Sequence, residues 1–215
     1  MKIGILFDLD GTLLDTLEDL KDAVNYTLAQ YGCPLRSLEE VRTFVGTGAA
    51  NLIRKALPGK ESDPPLEEAL AVYQKYYALH AQDKTAPYDG ILQALEEVKK
   101  HYPVAIVSNK PDLAVKALCR DYFPGVYALG EADGCPRKPA PDMVRKAMNA
   151  IGVDTCIYVG DSEVDVLTAK NAVVPCLSVT WGFRDKNCLT EAGAKAFCDN
   201  PAELSDALNT MVSGF

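Results

Sequence analysis

The sequence predicts an α/β fold in which helices cover both faces of a parallel sheet and a small all-helical unit is inserted after the first strand. Two observations carry this prediction. Short apolar runs alternate with segments of helical spacing, about 10–15 residues long, which is typical of βαβ units. One long block near the start of the chain contains helical segments and no clear strand. With 215 residues, the chain is long enough for one sizeable core and such an insert.

The first predicted strand is a short apolar run that begins at Ile3 and ends in two carboxylates, Asp8 and Asp10, followed by a Gly-Thr turn. A run of this length, near the mean strand length of about 5–6 residues, suits a strand buried on both faces. The two carboxylates repel each other, and a divalent cation with hard oxygen ligands would offset this repulsion. Since ligands of open α/β sheets bind beyond the carboxyl ends of the strands, we expect both acids in the binding crevice. A plain polar turn is the alternative.

The remaining elements divide into a cap and a core. The cap covers residues 15–84, and its predicted helices span residues 18–30, 38–45, 49–57 and 66–81. The α/β core covers residues 1–14 and 85–215, and its later predicted strands span residues 104–107, 126–129, 156–159, 176–179 and 195–198. The predicted core helices span residues 90–101, 111–122, 141–151, 163–171 and 201–212. Right-handed crossovers place the carboxyl ends of all strands on one side of a Rossmann-like sheet.

Composition and charge exclude several classes of protein. The formal net charge of −8, from 22 basic and 30 acidic residues, disfavours sequence-independent binding to nucleic acid or to an anionic membrane. The apolar N-terminal stretch is interrupted at Asp8, so neither a signal peptide nor a membrane span is predicted there. Seven scattered cysteines without a Cys-x-x-Cys pair favour a cytoplasmic protein with free thiols over a disulfide framework or a zinc site.

Three further polar segments follow or precede predicted elements. The Ser108 hydroxyl follows a strand, where it suits a phosphoryl oxygen beside the free amides of a helix start. Lys138 lies just before a helix that starts at a proline, where its ammonium can neutralise phosphoryl charge. Asp161 follows another strand and suits the oxygen shell of Mg²⁺, and Asp165, one helical turn later, is expected to hold Lys138 or a metal-bound water. The alternatives are a helix cap at Ser108 or Asn109, a solvated lysine, and an N-cap Asp161 with a solvated helix face.

Taken in order, these four segments resemble the four motifs of the haloacid dehalogenase superfamily, over almost all of the chain. Within it, segments 109–111, 137–141 and 179–184 are most similar to the phosphoglycolate phosphatase group, as are 44–48 in the cap and 87–90 after it. The resemblance implies a Mg²⁺-dependent phosphomonoester hydrolase that acts on a small phosphorylated metabolite through an aspartyl-phosphate intermediate. It implies no nucleic-acid or membrane partner and says nothing about the oligomeric state.

The resemblance also assigns roles to individual residues. Asp8 is the expected nucleophile, and Asp10 is the expected acid and base for the leaving group and the water. Ser108 and Lys138 are expected to contact the phosphoryl group. Mg²⁺ is expected on Asp8, the main-chain carbonyl of Asp10 and Asp161, with Asp165 behind these ligands. The residues expected to bind substrate are Gly11, Thr12, Thr47, Gly48 and Asn109.

Other activities are compatible with parts of this pattern. A pyrophosphatase or nucleotide phosphatase would differ only in the leaving group, and a sugar-phosphate mutase would also use Asp8 and Asp10. A non-catalytic binding protein would keep the fold as an interaction surface, although such a relative could lose Asp10 or Lys138. Dehalogenases and phosphonate hydrolases lack an acid at the position of Asp10. The segment that contains Thr47 and Gly48 would, in the simplest alternative, be a plain turn between two helices.

One position departs from the family pattern. Relatives usually carry glycine after the helix that contains Asp165, where this chain has Val173. A glycine suits a left-handed helix end, whereas a β-branched side chain resists that backbone conformation. We therefore expect this helix to end by another route.

Overall fold

The computed structural model describes residues 1–60, 63–132 and 134–214 of the chain. The chain divides into two compact units, the first formed by Met1–Leu14 with Pro87–Phe215 and the second by Asp15–Ala86. The first unit is an α/β structure, and the second is helical. No helix in the described part of the chain is long and apolar enough to cross a membrane.

The first unit is built on a parallel sheet of six strands. In chain order the strands of the protein are β1 (Ile3–Phe7), β2 (Leu14–Asp15), β3 (Ala86–Pro87), β4 (Val104–Pro111), β5 (Tyr127–Glu131), β6 (Thr155–Gly160), β7 (Cys176–Val179) and β8 (Ala196–Cys198). The large sheet has the order β5-β4-β1-β6-β7-β8, and every neighbouring pair is parallel. The two short strands β2 and β3 pair with each other in a separate two-stranded sheet.

Helices occupy most of the remaining chain. The second unit contains α1 (Leu17–Gln30), α2 (Leu38–Phe44), α3 (Ala49–Ala56) and α4 (Leu66–His80). The first unit contains α5 (Ile91–His101), α6 (Asp112–Tyr122), α7 (Asp142–Ile151), α8 (Glu163–Ala172), α9 (Lys186–Glu191) and α10 (Leu204–Val212), with a 3₁₀ turn at Pro201–Glu203. Among the described residues, the second unit thus has four successive helices with no strand between them, as the sequence predicts for this block.

The large sheet is covered on both faces because its strands alternate their side chains between two apolar clusters. Ile5 and Phe7 lie in one cluster, together with buried residues of α5, α6 and α10. Leu6 and Tyr158 lie in the other cluster, together with buried residues of α7 and α8. All of these strand side chains are fully buried. The predicted α/β class, with helices on both faces of a parallel sheet and an all-helical insert after the first strand, is confirmed.

The strand register brings the polar segments to one edge of the sheet. β1 lies between β4 and β6, and Phe7 at its end pairs with Ile106 on one side and Val159 on the other. Because parallel strands run in the same direction, the residues that follow these positions emerge at the same edge. Asp8 and Asp161 emerge there from β1 and β6.

The ends of several predicted elements differ from those in the structure, and the helix predicted over residues 201–212 begins as a 3₁₀ turn before α10. β4 continues to Pro111, and its pairing with β5 is irregular between Val107 and Pro111, so α6 begins only at Asp112. The helix α8 ends with Val173 in the left-handed conformation, at φ 61° and ψ 45°. The expectation that a β-branched residue would force another type of helix end is therefore wrong. The amide of Val174 bonds to the carbonyl of Ala169, which closes the helix end despite the strained residue.

The six-residue helix α9 was not predicted, because so short an element has no recognisable period. It begins after Asp185, whose side chain accepts a hydrogen bond of 2.8 Å from the amide of Cys188.

All seven cysteines are free thiols in the structure.

Candidate active site

Asp8 directly follows β1 and is buried at the edge of the sheet. Its backbone N–H donates a hydrogen bond of 2.8 Å to the carbonyl of Val159, which fixes it against β6. Its carboxylate oxygen Oδ1 accepts a bond of 2.7 Å from the amide of Leu9 and lies 2.8 Å from Nζ of Lys138. The carboxylate is thus oriented by an amide and a cation.

Lys138 is buried, and its ammonium has three partners. It lies 2.8 Å from Asp8, donates to Asp165 at 2.8 Å and donates to the hydroxyl of Tyr158 at 3.0 Å. Burial acts to lower the pKa of Lys138, but the charges of Asp165 and Asp8 outweigh it, and the pKa lies well above its ordinary value. Lys138 is therefore a permanent cation.

Asn109 fixes the backbone of the segment that carries this lysine. Its side-chain amide donates to the carbonyl of Lys138 at 2.9 Å and its oxygen accepts from the N–H of Lys138 at 2.8 Å. The peptide bond between Lys138 and Pro139 is cis. Asn109 and Lys138 are thus adjacent in space although Asn109 lies within β4 and Lys138 follows β5.

Asp161 and Asp165 are held by hydrogen bonds at the start of α8. Asp161 accepts bonds from the hydroxyl of Thr12 at 2.9 Å and from the amide of Phe183 at 2.7 Å. Asp165 accepts bonds from the N–H and the hydroxyl of Ser162, at 3.1 and 2.6 Å. Ser162, not Asp161, is the N-cap residue of α8, and Asp165 is fully buried. The alternative of an N-cap Asp161 with a solvated helix face is therefore wrong.

Asp8, Asp161 and Asp165 form a buried cluster in which one carboxylate oxygen from each lies within 4.8 Å of the others. Burial and the charge of Asp165 raise the pKa of Asp8 well above its usual range. The same two causes raise the pKa of Asp161 to about 7, although hydrogen bonds from Phe183 and Thr12 oppose the shift. Buried carboxylate oxygens that repel one another, such as those of Asp8 and Asp161, are donors that suit Mg²⁺. The residues present therefore fit the implied metal.

Two glycines allow the backbone to approach this cluster. Gly11 has a positive φ of 84°, and a Cβ built on it would lie 2.3 Å from Oδ2 of Asp161. A Cβ on Gly182 would lie 2.3 Å from the carbonyl oxygen of Gly11 and 2.4 Å from Cβ of Asp161. All of these contacts are shorter than a real Cβ atom tolerates, so both positions require glycine.

Asp10 and Ser108 lie beside a second lysine. Nζ of Lys110 donates a bond of 2.7 Å to Oδ1 of Asp10, and the amide of Lys110 donates to the hydroxyl of Ser108 at 3.2 Å. Ser108 and Asn109 are buried and lie within β4, so the alternative that one of them caps the next helix is wrong. No role was predicted for Lys110, although its place directly after the apolar run 104–107 and two polar residues was a usable signal.

Tyr158 and Trp181 also support the site, through hydrogen bonds that the sequence did not predict. Tyr158 donates to the carbonyl of Val107 at 3.2 Å while it accepts from Lys138, which ties β6 to β4. The indole of Trp181 donates to the carbonyl of Thr12 at 3.0 Å and supports the turn after β1. No local sequence signal identifies either contact, because each joins segments far apart in the chain.

Thr47 and Gly48 belong to the second compact unit, in the connection between α2 and α3. Gly48 is the N-cap residue of α3, with a positive φ of 89°. The carbonyl of Thr47 accepts a bond of 3.2 Å from the side chain of Asn51. The Thr47 hydroxyl is buried and has no hydrogen-bond partner in the described part of the chain.

The chain is similar to known hydrolases. A family model described as haloacid dehalogenase-like hydrolase matches residues 5–179. The chain is 35 % identical over 211 residues to phosphoglycolate phosphatase 1 of Pseudomonas aeruginosa, covering 93 % of this chain and 77 % of that protein.

Solved structures show the same fold. A crystal structure from Lactobacillus delbrueckii subsp. bulgaricus is 36 % identical, with a TM-score of 0.87 and coverage of 95 % of this chain and 97 % of the other. CbbY from Rhodobacter sphaeroides, solved in complex with phosphate, is 27 % identical, with a TM-score of 0.77 and coverage of 97 % and 100 %. The protein therefore belongs to the haloacid dehalogenase-like hydrolase family and is an enzyme of the hydrolase class.

Proposed function

We propose that the protein is a Mg²⁺-dependent phosphomonoester hydrolase that forms an aspartyl phosphate on Asp8 and acts on a small metabolite such as phosphoglycolate. The observation that carries the proposal is the buried contact between Asp8 and Lys138 beside Asp161 and Asp165. A nucleophilic carboxylate needs a cation near the phosphoryl oxygens, and this cluster supplies one. The similarity to a protein named phosphoglycolate phosphatase supports the choice of substrate.

In the first step, a carboxylate oxygen of Asp8 bonds to phosphorus while the bond from phosphorus to the ester oxygen breaks. The leaving alkoxide takes a proton from Asp10. In the second step, Asp10 accepts a proton from a water molecule that attacks phosphorus, the bond to Asp8 breaks, and inorganic phosphate leaves. Lys138 offsets the charge that develops on the phosphoryl oxygens in both steps.

The remaining predicted residues would bind the phosphoryl group and the metal. The hydroxyl of Ser108 and the amides of the turn at Gly11 and Thr12 are suitable donors for phosphoryl oxygens. Asp8, the carbonyl of Asp10 and Asp161 would hold Mg²⁺, with Asp165 supporting them through Lys138. Bound Mg²⁺ would neutralise the ionised carboxylates and polarise a phosphoryl oxygen.

Substrate choice is proposed to depend on Thr47 and Gly48 in the second unit, together with Asn109. The buried hydroxyl of Thr47, which has no hydrogen-bond partner among the described residues, supports this assignment because such a group is costly until it finds one. Free thiols at all seven cysteines are consistent with a cytoplasmic site of action.

The test is release of inorganic phosphate from a panel of small phosphomonoesters, with Mg²⁺ and with a chelator, and with pyrophosphate and nucleotides included. We expect chelator-sensitive release with phosphoglycolate as the favoured substrate, and loss of turnover in a folded Asp8→Asn variant. Preference for pyrophosphate or a nucleotide would overturn the substrate. Isomerisation of a sugar phosphate without phosphate release, or full activity of Asp8→Asn, would overturn the reaction.

A further inference from the structure

Lys110 has no part in the proposed chemistry, yet its position is well defined. Its side chain is 3 % exposed, and its ammonium lies 2.7 Å from Oδ1 of Asp10, whose side chain is 13 % exposed. A buried ammonium is costly unless a carboxylate accompanies it, and removal of either partner leaves an uncompensated charge. The pair is therefore a fixed feature of this edge of the sheet.

The fold brings the two residues together through two neighbouring strands of the large sheet. β1 and β4 pair in register up to Phe7 and Ile106. Beyond these positions, the segment after β1 leads to Asp10, and β4 continues to Lys110. The register of β4 with β5 shifts between Val107 and Pro111, and Lys110 lies within this irregular stretch. Lys110 thus reaches across to the segment that follows β1.

Each of the two acids in the first motif has a lysine of its own. Lys138 contacts Asp8 and Asp165, whereas Lys110 contacts Asp10. This separation means that the two lysines affect different parts of the reaction. A change at Lys138 alters the cation beside the nucleophile, whereas a change at Lys110 alters the surroundings of the acid and base.

We propose that Lys110 is a positioning residue for Asp10, whose carboxylate it holds in the orientation used for proton transfer; this inference rests on the proposed function. Asp10 lies just before the turn at Gly11, and an aspartate side chain has two rotatable bonds that must be fixed for its carboxylate to keep one orientation. A charge-assisted hydrogen bond to one carboxylate oxygen restricts that rotation. A group held in its reacting orientation transfers a proton faster because the orientational entropy has already been lost.

The first test uses Lys110→Met, with Lys110→Arg as the conservative variant and Lys99→Met as a matched control. Lys99 lies on α5, outside the four motif segments, with its side chain 32 % exposed and in an ion pair of 2.6 Å with Glu96. With p-nitrophenyl phosphate, whose leaving group needs no proton, Lys110→Met is expected to give a rapid burst of nitrophenolate followed by slow turnover. The slow phase reports hydrolysis of the aspartyl phosphate, for which Asp10 must act as the base.

In the steady state with phosphoglycolate, for which Asp10 acts in both steps, Lys110→Met is expected to lower kcat about 10- to 100-fold with little change in KM, at or below the lower end of the roughly 10²- to 10⁴-fold that acid–base groups contribute. Lys110→Arg is expected to recover part of this loss, and Lys99→Met should match the wild type. A raised KM with unchanged kcat would overturn the proposal, because Lys110 would then be a substrate ligand. Lys110→Gln, which keeps a polar donor in the buried site, carries the same test if Lys110→Met does not fold.

The second test combines Lys110→Met with Asp10→Asn. If Lys110 acts through Asp10, the double variant is expected to be no slower than Asp10→Asn alone. Two losses that multiply would overturn the proposal, since the residues would then act independently. Failure of this inference differs from failure of the proposed function. An active wild type with a fully active Lys110→Met variant refutes the positioning role alone, whereas a wild type without phosphatase activity refutes the function.

Discussion

Asp165 accepts a hydrogen bond of 2.8 Å from Lys138, and neither side chain is more than 1 % exposed. The other oxygen of Asp165 accepts two bonds from Ser162. One carboxylate thus connects the start of α8 to the lysine that contacts Asp8. An ionised carboxylate can accept through both oxygens, whereas a side-chain amide has only one acceptor atom.

Asp165→Asn is therefore expected to destabilise the protein although it hardly changes the shape of the side chain. The amide oxygen can face Lys138 or Ser162 but not both, so one buried donor loses its acceptor. This costs about 1–3 kcal/mol in the free energy of unfolding. We also expect kcat to fall, because Lys138 loses one of the charges that hold it. Urea unfolding and phosphate release measure the two effects.

Asp185→Asn is the matched control for that variant. Asp185 caps α9 through one hydrogen bond, from the amide of Cys188, and asparagine caps helices as well as aspartate does. Its free energy of unfolding should stay within about 0.5 kcal/mol of the wild type. Equal stability of the Asp165→Asn and Asp185→Asn variants would contradict the double acceptor role of Asp165.

The acidic cluster predicts how pH changes stability when the metal is removed. Burial and the charge of Asp165 raise the pKa of Asp161 to about 7 from an ordinary value of 3.8. Between pH 3.8 and about 7, Asp161 therefore keeps its proton in the folded state but has lost it in the unfolded state. In a chelator, the contribution of Asp161 to stability falls as the pH rises from about 4 to about 7.

Added Mg²⁺ should reverse this loss, because the cation replaces the proton as the partner of the carboxylate. We expect the increase in Tm on adding Mg²⁺ to be larger at pH 8 than at pH 5.5, as measured by thermal unfolding in both buffers. In the Asp161→Asn variant the increase should be smaller at both values. A larger Mg²⁺ effect at pH 5.5 than at pH 8 would argue against a metal on these carboxylates.

Gly11 makes a steric prediction about the same cluster. In Gly11→Ala, the methyl group would meet the Asp161 carboxylate at 2.3 Å, and the backbone keeps a φ of 84° that alanine disfavours. We expect Gly11→Ala to lose most phosphatase activity and most of the Mg²⁺-induced increase in Tm, since Asp161 must move. Phosphate release and thermal unfolding with and without Mg²⁺ measure this.

Gly125→Ala separates the two causes. Gly125 has nearly the same φ, 81°, but a Cβ there meets no atom within 4 Å. The variant should lose about 1–2 kcal/mol of stability from backbone strain alone and keep full activity. If Gly11→Ala and Gly125→Ala behave alike, the approach of Gly11 to Asp161 has no functional importance.

Those parts of the site that depend on a short stretch of sequence can be predicted from the sequence alone. An apolar run that ends in acids is visible in any short window, so the strand ends at Asp8 and Asp161 could be placed before the structure was known. The bond from Thr12 to Asp161 could not be placed, because its partners lie 149 residues apart and meet only through the register of β1 with β6. The pair formed by Lys110 and Asp10 likewise depends on the register of β1 with β4.

The end of α8 shows the limit of local rules from the other direction. A residue preference of a few kcal/mol can be overruled when the surrounding structure fixes the backbone. The Val174 N–H donates a hydrogen bond to the carbonyl of Ala169, and β7 follows soon after. Together they impose the left-handed conformation on Val173. The backbone of Val173 nevertheless stays strained, and a substitution at this position can relieve that strain.

Val173→Gly is expected to relieve about 1–2 kcal/mol of backbone strain, because glycine adopts this conformation without steric cost, and so to stabilise the protein by a net amount of roughly 0.5–1 kcal/mol. The Val173 side chain is 85 % exposed, so its removal sacrifices little packing. The greater freedom of glycine in the unfolded chain offsets part of the gain, by about 0.5–1 kcal/mol. Val173→Ala, which loses the β-branch but keeps a Cβ at positive φ, should fall between valine and glycine. Urea unfolding of the three proteins gives this order, and a less stable glycine variant would mean that Val173 is not strained in solution.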